Sequence, residues 1–216
     1  MVYRGKLSAD YRKAQSCLET NSVLFMRLFW ACSGSRKERN NMNIELSILD
    51  AIQSIRTPVG DVVMLLITKL GNSGIVWIVL AAGLLACKQT RKSGVILAAA
   101  LVADVIVCNG ILKNAVQRIR PCDVNTSVDL LIRRPTDFSF PSGHTAESFA
   151  AVSALYFAGE KKLWKPALLL AVLIAFSRMY LYVHYPTDIL GGIIVGIAMG
   201  YLVSRVVYCL WRSGNE

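Results

Sequence analysis

The chain contains two histidines, and both stand where a long apolar run meets a short polar loop. His144 closes Phe140-Pro141-Ser142-Gly143-His144, and His184 lies within Tyr182-Val183-His184-Tyr185-Pro186-Thr187-Asp188. Lys113, Arg120 and Arg178 occupy similar junctions. An imidazole can attack, donate a proton or accept one near neutral pH, whereas lysine and arginine hold positive charge. Gathered on one membrane face, these side chains suit a phosphate ester and its hydrolysis.

Three segments must position them. In Lys113-Asn114-Ala115-Val116-Gln117-Arg118-Ile119-Arg120-Pro121 the two outer cations are seven residues apart, which on a continuous helix places them on one face two turns apart. Pro121 cannot continue that helix, so Arg120 is expected at its end. Pro141-Ser142-Gly143-His144 opens the next apolar block. Ser142 reads as an N-cap, with the Gly143 and His144 amides facing an anion at the positive end of the helix dipole. In the third segment Ser177-Arg178 is followed by His184 and Asp188, and Pro186 suits the first turn of a helix.

The elements carrying these segments are apolar. Of 216 residues, 54% are hydrophobic, more than a soluble core of this size needs. They fall in blocks at 59–70, 75–87, 94–111, 146–158, 166–183 and 189–210. A bilayer core of about 30 Å takes about 20 helical residues, so the third, fifth and sixth blocks read as spans. The fourth reaches that length if its helix begins near Ser142. The first two are short, which leaves room for thin, tilted or re-entrant segments around Gly71-Asn72-Ser73-Gly74. The expectation is an all-α integral membrane bundle of six transmembrane helices over 59–210, with 211–216 as a cytoplasmic tail. Before it, Ile44, Leu46, Ile48, Leu49, Ile52 and Ile55 recur at helical spacing. They predict an amphipathic helix over 42–58, lying on the cytoplasmic surface and ending at Thr57-Pro58. Residues 1–41 are basic and polar, with an apolar stretch at 23–32 too short to span and no cleavable leader pattern. They read as an extension, with Met42 a candidate start.

The formal net charge is +10. The N-terminal region, Lys88 to Lys92, Lys161 to Lys165 and Arg212 are basic and, with six crossings, share a side. The positive-inside rule makes that side cytoplasmic, with both termini on it and the histidine loops on the extracytoplasmic face of a multi-pass cell-membrane protein. Arg118, Arg120, Arg133, Arg134 and Arg178 then stand against the rule, most simply to hold an anion, although Arg133 and Arg134 read as solvated loop or headgroup contacts. Nucleic acid is excluded as a partner, because the cations are dispersed between spans. The six cysteines show no metal spacing and no evident disulfide pairing. Nothing in the sequence sets an oligomeric state.

The pattern K-x6-R-P, P-S-G-H, S-R-x5-H-x3-D resembles the signature of the type-2 phosphatidic acid phosphatase family, membrane-embedded lipid phosphatases related to vanadium haloperoxidases. It is carried by Lys113, Arg120, Pro121, Pro141, Ser142, Gly143, His144, Ser177, Arg178, His184 and Asp188, and the resemblance covers 59–210. It implies His184 as the nucleophile that forms a phosphohistidine, Asp188 as the group fixing its tautomer, and His144 as acid and then base. Lys113, Arg120, Arg178, Ser142 and Gly143 would hold the phosphoryl oxygens. No metal or other cofactor is implied. Ser177 and Glu147 are candidates for support; Glu147, three residues past His144, would lie on its side of a helix and tune it. Asp104, an acid in mid-span, is a further candidate for a role.

The expected substrate is a membrane lipid phosphate or diphosphate, above all undecaprenyl diphosphate. Phosphatidylglycerol phosphate, phosphatidic acid and diacylglycerol pyrophosphate are the alternatives. An anion-binding transporter is the distant one, since Asp104, Asn109 and Glu147 make no continuous polar path.

Overall fold

The computed structural model describes residues 36–213, and the side chains of 42–211. The candidate extension 1–41 lies outside this range except for its last residues. The chain divides into two compact units, Met1–Ile44 and Glu45–Glu216, and the account below concerns the second. Among the described residues every regular element is helical. These are α1 (Arg36–Ser54), α2 (Pro58–Leu70), a 3-10 turn (Asn72–Gly74), α3 (Ile75–Ala86), α4 (Arg91–Asp104), α5 (Pro121–Val124), α6 (Gly143–Phe157), α7 (Trp164–Tyr180) and α8 (Pro186–Ser213). The chain of α4 runs on through a π-helical stretch, Val105–Leu112, into Lys113–Val116.

Local chemistry sets the ends. Thr57 caps α2 by accepting from the Gly60 N–H at 3.1 Å, and Pro58 fills the first turn. The α6–α8 pair is built for close approach. A Cβ on Gly196 would stand 2.3 Å from the Ala146 carbonyl oxygen, and one on Gly200 would stand 2.7 Å from that of Ala150. Glycines four apart let the two backbones touch. That contact sets the start of α8 beside the start of α6, where the Ser142 N–H donates to the Asp188 carbonyl at 3.1 Å.

The interior is apolar, with Trp77, Ile96, Leu97, Leu155 and Ile174 fully buried, each contributing about 1.5–3 kcal/mol. The outside is apolar too. Val59 is 75% exposed, Ile194 69% and Leu169 64%, and so many large exposed hydrophobes match hydrocarbon, not water.

By length and composition, two of the described helical runs can cross a bilayer, Arg91–Val124 and Pro186–Trp211. The pair Met42–Ser54 and Pro58–Leu70 would qualify together but is bent by 119°. Six spans are therefore not reached on this measure, and the path of the chain shows why. α2 starts with Asp61 accepting from Tyr180 Oη and ends with Gly71 against Ile174 and the His144 ring, and α3 continues with Trp77 donating to Ser148 at 3.1 Å. Both helices move away from the end of the bundle that carries His184. The Asn72–Gly74 turn, with Ser73 at φ 52° and Gly74 at φ 63°, bends the chain without reversing it. Blocks 59–70 and 75–87 form one interrupted pass, so the described helices pass five times between the ends: α2–α3, α4, α6, α7 and α8.

The amphipathic helix is also displaced. It starts at Arg36 and not at 42, and it packs at the His184 end and not at the far one: Tyr182 Oη donates to Asp50 at 2.7 Å and Gln53 Nε2 to the Tyr180 carbonyl at 2.8 Å. At the opposite end Ser93 Oγ donates to Glu160 at 2.7 Å, and Lys92 Nζ lies 3.6 Å over the Tyr208 ring. The basic links 88–92 and 161–165 gather there.

Candidate active site

Lys113 and Arg120 do not share a helix face. The helix stops at Val116, because Gln117 turns left-handed (φ 51°) with its N–H on the Lys113 carbonyl at 2.9 Å. Arg120 is extended and caps α5. What brings the two cations together is Asp137, a residue outside the sequence pattern. Lys113 Nζ donates to its Oδ2, and Arg120 NH2 donates to its Oδ1 at 2.7 Å. Burial pushes the Asp137 carboxyl up, but the Lys113 hydrogen bond and the charges of Arg120 and Lys113 outweigh it and hold the group at about 2.

Arg120 is 3% exposed. Its remaining donors reach the Asp137 carbonyl (2.8 Å), the Val183 carbonyl (2.8 Å) and Nε2 of His184 (3.1 Å). A guanidinium only donates, so Nε2 of His184 is the lone-pair nitrogen and the proton sits on Nδ1. Nδ1 faces Ser139 Oγ and Asp188 Oδ2, each at 3.5 Å, a loose contact. The His184 ring is 2% exposed. Burial lowers its pKa to about 3; Asp188 opposes the shift and Arg120 adds to it. The imidazole is therefore neutral with one nitrogen free. It is presented on a turn in which Tyr182 takes φ 59°, a costly conformation for a bulky residue that its bond to Asp50 helps hold.

Asp188 is fully buried and satisfied. Oδ2 accepts from Ser139 Oγ at 2.5 Å and the Tyr185 N–H at 2.9 Å, while Oδ1 accepts from Arg118 NH1 at 2.6 Å. Arg118 in turn pairs through NH2 with Glu45 of α1, and its guanidinium stacks 4.0 Å from the Tyr185 ring. Glu45 also accepts from the Thr187 N–H at 3.1 Å. The amphipathic helix thus supplies a carboxylate to the group behind His184.

Across the site His144, in the first turn of α6, has Nε2 2.9 Å from Asn72 Oδ1. Arg178 is 4% exposed; NH1 donates to Thr68 Oγ1 at 2.6 Å and its Nε has no partner among the described residues. A buried guanidinium donor without a protein acceptor is suited to an arriving oxyanion. Lys113, Arg120, Gly143, His144, Arg178 and His184 all line one cavity of about 600 Å³, together with Lys69, Asn72 and Asp137. Arg133 and Arg134, read from sequence as solvated loop, line it too.

Other candidates stand elsewhere. Ser142 takes the N-cap position of α6 but its side chain caps nothing; it is fully buried, and its Oγ accepts from Thr145 Oγ1 at 3.0 Å, away from the cavity lining. Ser177 Oγ bonds the Ile174 carbonyl at 2.7 Å. Glu147 Oε2 lies beside Gly74, and it is Asn72 that meets the His144 ring. Asp104 is fully buried, and among the described residues neither carboxylate oxygen is hydrogen-bonded. Cys122 is buried in α5 as a free thiol.

A neutral imidazole, a second imidazole across a cavity and a cluster of cations between them can transfer a phosphoryl group, so fold and site define an all-helical phosphatase. The chain belongs to the PAP2 superfamily, whose family model matches residues 93–212. It is 34% identical over 164 residues to an undecaprenyl-diphosphatase of Sulfolobus acidocaldarius, covering 76% of this chain and 78% of that one. It is 32% identical over 145 residues to the undecaprenyl-diphosphatase BcrC of Bacillus subtilis, covering 67% and 74%. Among solved structures, the transmembrane PAP2-type phosphatidylglycerolphosphate phosphatase of Bacillus subtilis superposes with a TM-score of 0.65 at 28% identity, over 87% of this chain and 94% of that one.

Proposed function

We propose that this phosphatase hydrolyses the terminal phosphate of a lipid diphosphate, undecaprenyl diphosphate before others, through a phosphohistidine on His184. The observation that carries the reading is the His184 ring, neutral, with Nε2 at the cavity beside Arg120 and Nδ1 backed by Asp188. Nε2 attacks the terminal phosphorus and the bridging P–O bond breaks. The departing oxygen takes a proton from His144, and the lipid monophosphate leaves. The phosphorylated ring keeps its Nδ1 proton and is positive, which the Asp188 carboxylate stabilises. Water then attacks phosphorus, His144 takes its proton, and the P–N bond breaks to release phosphate. Lys113, Arg120, Arg178 and the Gly143 amide neutralise the phosphoryl oxygens.

Two things support a diphosphate. The first two relatives carry that name, and the cavity is lined by Lys69, Lys113, Arg120, Arg133, Arg134 and Arg178 against one carboxylate, Asp137. Lys69 and Arg133 at the mouth suit the phosphate that remains on the lipid. The likeness to a phosphatidylglycerolphosphate phosphatase makes that lipid the second reading.

In the membrane, we place 59–210 as the phosphatase domain, crossing five times, with 42–58 as an interfacial helix over the site and 211–216 as a tail. The basic links at the far end support putting that end and the C-terminal end of α8 in the cytoplasm, and the site on the extracytoplasmic face. The test is phosphate release by the detergent-purified protein from undecaprenyl diphosphate, phosphatidylglycerol phosphate, phosphatidic acid and diacylglycerol pyrophosphate, with EDTA present. Undecaprenyl diphosphate should have the highest kcat/KM. A preference for any monophosphate would reject the diphosphate reading, and loss of activity on chelation would reject the metal-free scheme.

A further inference from the structure

The cations that are to meet the phosphoryl group are not waiting for it. Asp137 has one carboxylate oxygen on Lys113 and the other on Arg120, inside the cavity that His184 and His144 line. Among the described residues no other ion pair of Lys113 or Arg120 is present. The backbone at Asp137 is held independently: its carbonyl accepts from Arg120 Nε at 2.8 Å, and the Ser139 N–H donates to the Arg118 carbonyl at 2.8 Å. Arg120 is likewise held by the Val183 carbonyl whatever the carboxylate does. The Asp137 side chain is 52% exposed, so rotating it out of the seat disturbs neither the loop nor the guanidinium.

We infer that Asp137 is a specificity-determining residue: its carboxylate occupies the phosphoryl seat as an internal anion that only a terminal phosphate displaces. The inference rests on Lys113 and Arg120 being phosphate ligands, as proposed above. A carboxylate brings one negative charge and two oxygens. A terminal phosphate brings about 1.5 to 2 charges near neutral pH and three oxygens, enough to replace both Asp137 contacts and also reach the vacant Arg178 donor. A phosphodiester headgroup, the common anion of a bilayer surface, brings one charge and gains little over Asp137. The seat therefore stays closed to the abundant diester lipids at the cost of a weaker apparent affinity for the true substrate. That affinity is reduced by the fraction of molecules in which the seat is open. The same carboxylate returns as product phosphate leaves.

The experiment measures inhibition by inorganic phosphate, and separately by phosphatidylglycerol in mixed micelles, for the full chain and for Asp137→Asn and Asp137→Ser. The asparagine variant keeps an acceptor for Arg120 and removes the charge. Both variants should be inhibited by phosphate about 10-fold more tightly, equivalent to about 1.4 kcal/mol, and both should become sensitive to phosphatidylglycerol. Weaker or unchanged phosphate inhibition in both would overturn the inference, the first by making Asp137 an organiser of the two cations. Lys113→Ala reports on the underlying reading: if it leaves phosphate inhibition as in the unaltered protein, Lys113 is not a phosphate ligand and the site assignment fails, not only the role of Asp137.

Discussion

Replacing Arg118 by methionine removes the one cation that, among the described residues, pairs with the fully buried Asp188 carboxylate, while keeping an apolar stem over the Tyr185 ring. Asp188 retains Ser139 and the Tyr185 N–H, so it stays hydrogen-bonded but is no longer neutralised or held from the Oδ1 side. A charge-assisted bond of this length contributes about 1.5–3 kcal/mol. On the proposed mechanism Asp188 acts through His184 Nδ1, so a loss of about 1.5–3 kcal/mol from the transition state is expected, or about 10- to 150-fold in kcat. Arg118 is absent from the cavity lining, so KM should stay within about 2-fold, as for any group acting only on the chemical step. Glu45→Gln leaves the Arg118–Asp188 pair in place and should cost only about 2- to 5-fold in kcat, in line with a partly exposed pair worth under about 1 kcal/mol. The assay is steady-state phosphate release in detergent, beside a thermal melt. A raised KM at unchanged kcat would place Arg118 on the substrate; full activity would refute the chain of support running from α1 to His184.

Other expectations follow from the same geometry. Gly196→Ala pushes a methyl into the Ala146 carbonyl and should cost about 1–3 kcal/mol by overpacking, seen as a lowered melting temperature. Gly83→Ala, whose Cβ meets nothing within 4 Å, should not lower it. The buried His184 ring stays neutral down to about 3, whereas an unfolded imidazole takes up a proton below about 6.5. Stability is then complete above the unfolded value and falls as pH drops from about 6.5 towards 3, by about 2 kcal/mol at pH 5. His184→Asn should flatten that acid slope in thermal melts, and an unchanged slope would contradict the burial argument. Lys69→Ala with Arg133→Ala should lower kcat/KM for a lipid diphosphate by about 5- to 30-fold, the equivalent of one to two kcal/mol. The same double variant should change turnover of a lipid monophosphate by less than about 3-fold, since each exposed contact alone is worth under about 1 kcal/mol.

The residues that could do chemistry were legible because residue type and spacing name them directly: His144, His184, Lys113, Arg120 and Arg178 meet at one cavity. The path that brings them together was not. A break such as Gly71-Asn72-Ser73-Gly74 reads identically whether the chain reverses or merely bends, and only the contacts of Gly71 and Trp77 distinguish the two. Counting one pass as two then sent the helix over 42–58 to the wrong end. Periodicity also failed at Gln117, where a single left-handed residue cancels the helical phase between Lys113 and Arg120. Asp137 and Glu45 carry no signal in the sequence, and Arg118 reads there only as a holder of an anion, because their partners are 17 to 73 residues away and a charged residue carries no local sign of a distant partner. Ser142 erred the other way, since its place in the pattern says nothing of the Thr145 bond that turns its hydroxyl inward.

The central claim is that His184 carries the phosphoryl group. Brief mixing with a lipid diphosphate labelled at the terminal phosphate, followed by alkaline quench and peptide mapping, tests it most directly. Label that survives base and is lost in acid, on the peptide containing His184 and absent from His184→Ala, is the predicted result. Turnover with no trapped label on His184, or a His184→Ala variant that keeps near-normal activity, would contradict it.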